Sequence, residues 1–255
     1  MKAIILAGGL GTRLGTLTDK IPKPMVQIDN KPIIWHIMSL YAKHGIKDFI
    51  IALGYKGQVI KDFFLNYKEN ISDFKINLKS GKIESYNYEF EDWNINLVDT
   101  GLNTMTGGRI KKLKHLIKED DFLLTYGDGL SNVDINKLIE FHKSHGKIAT
   151  VTAVRPNARF GELDISGIDV KSFKEKPQIN NGWINGGFFV FKRGFIDLID
   201  DSFTVLEAEP LEKAASAGQL VAHKHHGFWQ CVDTPRDKEF LDQLAIQNNL
   251  YPWIK

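Results

Sequence analysis

The chain of 255 residues is 43% hydrophobic and 25% charged, ordinary usage for a globular protein, and it is long enough to bury a substantial core. Its 33 basic and 31 acidic residues leave a formal net charge of +2, so the balance points to neither nucleic acid nor an anionic membrane as a partner. A single cysteine, Cys231, excludes an internal disulfide and a cysteine-based zinc cluster and predicts a cytoplasmic protein. No apolar run approaches the roughly 18 to 20 residues of a bilayer span, and the apolar start of the chain is too short for a signal-peptide core.

Residues 3–7, Ala-Ile-Ile-Leu-Ala, form a short apolar run ended by glycines, the pattern of a strand buried on both faces. Ile33, Ile34, Ile37, Met38 and Tyr41 fall at helical spacing, with Gly45 set to end that helix. Residues 48–53 repeat the buried-strand pattern and end at Gly54, and a second helical stretch follows over 58–67. Strand, helix, strand, helix in this order predicts a parallel sheet with right-handed crossovers. Residues 70–100 alternate differently, are rich in Asn, Tyr and Glu, and read as a small antiparallel excursion.

Residues 121–125 resume the strand pattern and run into Tyr126-Gly127-Asp128-Gly129. Residues 133–145 are amphipathic, and 148–154 form another β-branched strand. Short strands over 161–165, 184–191 and 221–225 precede a helix that Thr234 and Pro235 are placed to start. No repeat, low-complexity tract or linker divides the chain, so one α/β domain over 1–255 is expected.

The loop Gly8-Gly9-Leu10-Gly11-Thr12-Arg13 follows Leu6-Ala7 at the carboxyl end of the first strand, where open α/β sheets bind ligands. Its three glycines let backbone N–H groups approach phosphate oxygens, and Arg13 adds a planar, permanently charged fork. The loop lacks the Gly-Lys-Ser/Thr of a Walker motif, and Leu14 stands where a dinucleotide fingerprint requires Gly or Ala. Taken alone, the loop has a tight structural turn as its alternative reading. Downstream, Pro22-Lys23-Pro24-Met25 mounts a lysine between two residues that stiffen the backbone.

Gly-Gly-x-Gly-Thr-Arg followed by Lys-Pro-Met resembles the signature of the sugar-1-phosphate nucleotidyltransferases. The resemblance covers almost the whole chain, through segments that include Gly54-Tyr-Lys-Gly57, Val98-Asp-Thr-Gly101, Thr125-Tyr-Gly-Asp-Gly129, Glu175-Lys-Pro177, Ile184-Asn-Gly-Gly-Phe-Phe189 and Gly227-Phe-Trp-Gln230. Thr106-Gly-Gly-Arg109 stands where thymidylyl and uridylyl relatives carry a Gln-x-x-Pro segment, which favours the cytidylyl branch.

The resemblance implies a Rossmann-like three-layer fold, with a mixed, mostly parallel sheet flanked by helices. It implies a nucleotide-binding half over about 1–130 and an acceptor-binding half over about 131–255. CTP and a sugar 1-phosphate, glucose 1-phosphate first, are the implied substrates, and CDP-glucose and pyrophosphate the products. Another phosphorylated acceptor, or UTP or dTTP as donor, stays open. Homo-oligomers and a supply role for lipopolysaccharide or capsule synthesis are further implications.

Residue by residue, the resemblance gives Leu6, Ala7, Gly8, Gly9, Gly11, Thr12, Arg13, Lys23, Arg109, Gly127 and Asp128 to the nucleotide, with Arg13 and Lys23 catalytic. It gives Tyr126, Glu175, Lys176 and Asn185 to the acceptor, and Asp128 with Asp233 to Mg²⁺. Mg²⁺ prefers a few carboxylate oxygens completed by waters and substrate phosphates, which fits two aspartates. For Arg109 a solvated position at a helix start is the alternative.

An acceptor phosphate oxygen is a competent nucleophile at neutral pH, so no Ser-His-Asp or Cys-His machinery is required, and none is evident. His223-x-His225-His226 is a weak candidate for adventitious metal. A catalytically dead binding relative would lack one of Arg13, Lys23, Asp128, Lys176 or Asp233, and all five are present. A nicotinamide-dependent enzyme is disfavoured by Leu14 and by Asp48, which lies before the second strand instead of at its end. The stretch 201–219 departs from the cytidylyl pattern near the acceptor side, as do His226 before Gly227 and Pro235 after Asp233-Thr234.

Overall fold

A computed structural model describes residues 1–87, 89–156, 162–166, 168–174, 182–248 and 251–254. Among them, eight strands make the central sheet. Ala3–Leu6 lies in its middle, paired in parallel with Asp48–Leu53 on one side and Asp121–Tyr126 on the other. Asn94–Asp99 extends the sheet in parallel beyond Asp48–Leu53. On the other flank, Phe189–Lys192 runs antiparallel between Asp121–Tyr126 and Ala149–Val154, and Leu220–Lys224 adds to the latter in parallel.

The middle of the sheet is buried on both faces because its central strand, Ala3–Leu6, is apolar at every position and its neighbours are mostly so. Ala3 and Ile5 pack into one core with Phe49, Ile51 and the helix Ile33–Lys43, while Ile4 and Leu6 pack into the other with Ile50, Ala52 and Ile110 of the helix Thr106–Lys112. Alternation of side chains across the pleat is what feeds both cores from one strand. The result is the expected three-layer, mixed and mostly parallel Rossmann-like arrangement.

Several expected elements are recovered closely. Gly45 sits at φ 81°, just past the helix it was expected to end. The helix Ile135–His145 starts at Asp134, whose side chain accepts from the Lys137 N–H at 3.0 Å. The stretch expected as one helix over 58–67 is two, Gly57–Leu65 and Tyr67–Ile71.

The antiparallel excursion is shorter than its composition suggested. Only the hairpin of Asp73–Ile76 with Ile83–Tyr86 is antiparallel, whereas Asn94–Asp99 returns to the main sheet. Its polar alternation reflects an edge strand with exposed positions. The strand expected over 184–191 is broken at Gly186–Phe188, between Ile184–Asn185 and Phe189–Lys192. Gly187 (φ 76°) and Phe188 (φ 46°) turn the chain there in the left-handed region.

Candidate active site

Leu6 and Tyr126 end neighbouring parallel strands, so the chain leaves the sheet twice at the same edge. A cleft of about 730 Å³ opens there. It is lined by Leu6, Ala7, Gly8, Gly9, Gly11, Thr12, Lys23, Arg109, Tyr126, Gly127, Asp128, Asn185 and Asp233, all expected from the sequence. The side chain of Arg13, and Glu175 and Lys176 altogether, lie outside the described residues.

The glycine loop is held by its own backbone. Leu14 N–H and the Thr18 hydroxyl both donate to the Gly11 carbonyl, at 3.2 and 3.0 Å, and Gly11 takes a left-handed φ of 67° that a side chain would strain. Gly127 is needed for a different reason. Its N–H donates to the Leu6 carbonyl at 3.0 Å, and a Cβ would lie 2.8 Å from Pro24 Cγ and 2.9 Å from that same oxygen.

Arg109 is buried and directed into the protein. Nη1 donates to the Leu53 carbonyl (2.9 Å), the Thr100 hydroxyl (2.6 Å) and the Gly101 carbonyl (2.9 Å), and Nη2 donates to the Gly8 carbonyl (2.9 Å). Burial lowers its pKa and Asp99 pulls the other way. The residue therefore is neither a solvated helix-start arginine nor a free fork; it ties the glycine loop to the turn after Leu53 and the turn after Asp99.

Asp128 and Asp233 are brought together by a two-stranded antiparallel pair, Gly129–Ser131 with Trp229–Cys231, in which Cys231 faces Gly129. The Val232 N–H donates to the Asp128 carbonyl at 2.9 Å, so the two aspartates flank one end of the pair. Lys23, in the short turn Lys23–Met25 that Pro22 precedes, extends its ammonium between them, 2.6 Å from Asp128 Oδ2 and 2.6 Å from Asp233 Oδ1. Burial would lower the Lys23 pKa, but the two carboxylates outweigh it and raise the pKa above its ordinary value. The Cys231 thiol donates to Asp233 Oδ2 at 3.2 Å; burial, then Asp128, pushes its pKa up, so it stays protonated.

The helix Pro235–Asn248 begins where Thr234 and Pro235 were expected to start it. Its third residue, Asp237, returns to the helix start: Oδ2 accepts from the N–H groups of Asp233 (3.0 Å) and Thr234 (2.7 Å) and Oδ1 accepts from Gln230 Nε2 (3.1 Å). This reciprocal cap fixes the backbone that carries Asp233.

The cleft also includes residues that sequence reasoning did not select, among them Thr104, Thr106, Glu207, Trp229 and Cys231. Trp229 lay within a quoted segment; its indole N–H donates to the Gly186 carbonyl at 2.8 Å. Thr106 directly precedes Gly107-Gly108, a local signal of close packing. Glu207 lies in the stretch 201–219 that departs from the cytidylyl pattern. Among the described residues, His223, His225 and His226 form no group able to hold a metal, nor does any cluster of three or more His, Cys, Asp or Glu. No helix among them is long and apolar enough to cross a membrane.

The sequence matches the nucleotidyl transferase family over residues 2–237. It is 52% identical over 254 residues to glucose-1-phosphate cytidylyltransferase of Salmonella typhi, covering 99% of this chain and 98% of that one. It is 42% identical to the probable glucose-1-phosphate cytidylyltransferase of Bacillus subtilis, covering 92% of each. Among solved structures, HddC from Yersinia pseudotuberculosis superposes with a TM-score of 0.71 at 26% identity, over 95% of this chain and 98% of that one. The family match over residues 2–237, 52% identity across nearly the whole length and the shared fold lead to one conclusion: the chain belongs to the nucleotidyl transferase family of enzymes.

Proposed function

We propose that the protein transfers the cytidylyl group of CTP to glucose 1-phosphate, giving CDP-glucose and pyrophosphate. The observation that carries this reading is the convergence of Lys23, Asp128 and Asp233 on one point beside the glycine loop, in a chain 52% identical throughout to a glucose-1-phosphate cytidylyltransferase. An acceptor phosphate oxygen attacks the α-phosphorus of CTP in line; the new P–O bond forms as the bond to the β-phosphate oxygen breaks, and pyrophosphate leaves.

The work of the protein is to align two polyanions and neutralise their charge. Backbone N–H groups of the loop Gly8, Gly9, Gly11 and Thr12 hold the triphosphate, and Arg13 neutralises the leaving pyrophosphate. Lys23 donates to the α-phosphate and the incoming phosphate. Arg109 serves the nucleotide by fixing the Gly8 carbonyl. Tyr126, Glu175, Lys176 and Asn185 hold the acceptor, so that the nucleotide is served mainly by the first half of the chain and the acceptor by the second.

Nucleotidyl transferases generally use a divalent metal, and the donor set here fits Mg²⁺. Asp128 and Asp233 already aim one oxygen each at a single cation, the Lys23 ammonium, and two hard carboxylate oxygens leave sites for phosphate and water. When bound, the metal supplies charge neutralisation and orientation of the triphosphate. The lone, protonated thiol of Cys231 suits the reducing cytoplasm, where the product would feed surface-polysaccharide synthesis.

The test is pyrophosphate release by the purified protein with Mg²⁺, across CTP, UTP, dTTP, ATP and GTP and a panel of phosphorylated acceptors. Turnover with CTP and glucose 1-phosphate is expected to dominate. CTP-dependent release with a different acceptor only would overturn the glucose assignment, and no release with any pair would overturn the enzymatic reading.

A further inference from the structure

Residues 201–219 hold the main departure from the cytidylyl sequence pattern, and one of them, Glu207, stands in the cleft wall. Its position follows from the glycines of Thr106-Gly107-Gly108-Arg109. A Cβ on Gly107 would lie 2.8 Å from the Thr204 carbonyl oxygen, so glycine lets the 202–206 segment rest on the start of the helix Thr106–Lys112. Two backbone bonds hold it there: Met105 N–H to Ser202 O at 2.9 Å and Gly108 N–H to Thr204 O at 3.2 Å. The Thr106 hydroxyl accepts from Leu206 N–H at 2.9 Å and donates to Glu207 Oε2 at 2.7 Å, which fixes the carboxylate.

Also in the cleft wall, the Tyr126 phenol accepts from Asn185 Nδ2 at 3.0 Å. Burial first, and the Glu207 charge second, raise the Tyr126 pKa, so the phenol stays protonated. Asn185 Oδ1 is already taken by the Gly187 N–H at 2.9 Å. What the pairs Thr106–Glu207 and Tyr126–Asn185 leave in the cleft wall is one amide N–H of Asn185 and the unused lone pairs of an exposed carboxylate, of which an ionised carboxyl has about four.

A donor beside an acceptor matches hydroxyl groups, each of which is both. The carboxylate repels phosphate, so it faces an uncharged part of a substrate. Resting on the function proposed above, we infer that Glu207 is a specificity-determining residue of the acceptor subsite, accepting a hydrogen bond from a ring hydroxyl of the sugar phosphate while Asn185 donates to a neighbouring one. The same carboxylate disfavours acceptors that carry a second anionic group in that position.

The experiment measures kcat and KM for glucose 1-phosphate and each of its monodeoxy analogues at saturating CTP, and KM for CTP, in the wild type, Glu207→Ala and Glu207→Gln. Glu207→Ala should lose about ten- to hundred-fold in kcat/KM for glucose 1-phosphate, the range of a charged hydrogen bond, with KM for CTP unchanged. One monodeoxy analogue should lose that factor in the wild type and nothing further in Glu207→Ala, the mark of coupling between that hydroxyl and this side chain. Glu207→Gln should recover part of the loss. If every analogue loses the same factor in Glu207→Ala as in the wild type, or if the change falls on KM for CTP, the inference is overturned. Absence of turnover by the wild type itself overturns both this inference and the reaction it rests on, which separates the two failures.

Discussion

Arg109 Nη2 donates to the carbonyl oxygen of Gly8 at 2.9 Å, joining the glycine loop to a helix 101 residues further along the chain. The same guanidinium also holds the Leu53 and Gly101 carbonyls, so its removal takes a charged donor from all three oxygens, although Gly8 O keeps the Tyr55 N–H and Leu53 O keeps the Thr100 N–H and hydroxyl. Arg109→Met is expected to destabilise the protein by about 3 kcal/mol and to raise KM for CTP, since the loop loses its tether. Arg109→Lys should restore little, because an ammonium cannot span the fork. Urea unfolding and nucleotide KM check both; a variant with wild-type midpoint and KM would contradict the tether.

Lys23 stands between two carboxylates that otherwise face each other at close range. In Lys23→Met that repulsion is uncompensated, so the free protein should be less stable and should gain more from a divalent cation than the wild type does. Thermal unfolding with and without Mg²⁺ reads the difference, and turnover should fall by about a hundred-fold or more. An equal Mg²⁺ shift in both proteins would show that the lysine and the metal do not share the carboxylates.

Asp237 touches the cleft only through Asp233 and Thr234, whose N–H groups it accepts at 3.0 and 2.7 Å. Asp237→Ala should weaken divalent metal binding about tenfold, as loss of a supporting partner behind a ligand does, and should also cost about 1 kcal/mol through the lost helix cap. Titration with Mn²⁺ measures the first effect independently of activity. Unchanged Mn²⁺ affinity would confine Asp237 to helix capping.

His36 is fully buried, with Nε2–H donating to the Ile28 carbonyl at 3.0 Å and the rings of Tyr251 and Trp253 against it. Burial pushes its pKa from 6.5 down to about 4, and the Ile28 carbonyl and Asp29 oppose this without overcoming it. The unfolded chain therefore binds a proton that the folded one refuses between these values, so the contribution of His36 is present above about pH 6.5 and is lost as pH falls towards 4. By pH 5 the loss is about 2 kcal/mol. Urea unfolding at neutral pH and at pH 5 should show a smaller drop for His36→Gln than for the wild type; equal drops would mean that His36 is not the proton acceptor.

What the sequence determined by itself is local. The largely apolar runs at 3–7, 48–53 and 121–125 read as strands buried on both faces, and the glycine loop follows the first of them directly, so fold class and phosphate loop were both legible from residues close in the chain. Lys23 between its prolines and Asp128 between its glycines were legible for the same reason. Only the tertiary structure decided which of these groups meet. The pairing of Gly129–Ser131 with Trp229–Cys231 sets Asp233 beside Asp128, and the backbone of 202–206 lying on two glycines brings Glu207 into the cleft that Asn185 also lines. Asn94–Asp99 was misread because an edge strand shares its polar alternation with a hairpin, and only its partner distinguishes them. Hydrophobic periodicity records burial against solvent along one segment, whereas a site is made by hydrogen bonds and packing between segments a hundred residues apart, which leave no period in the sequence to read.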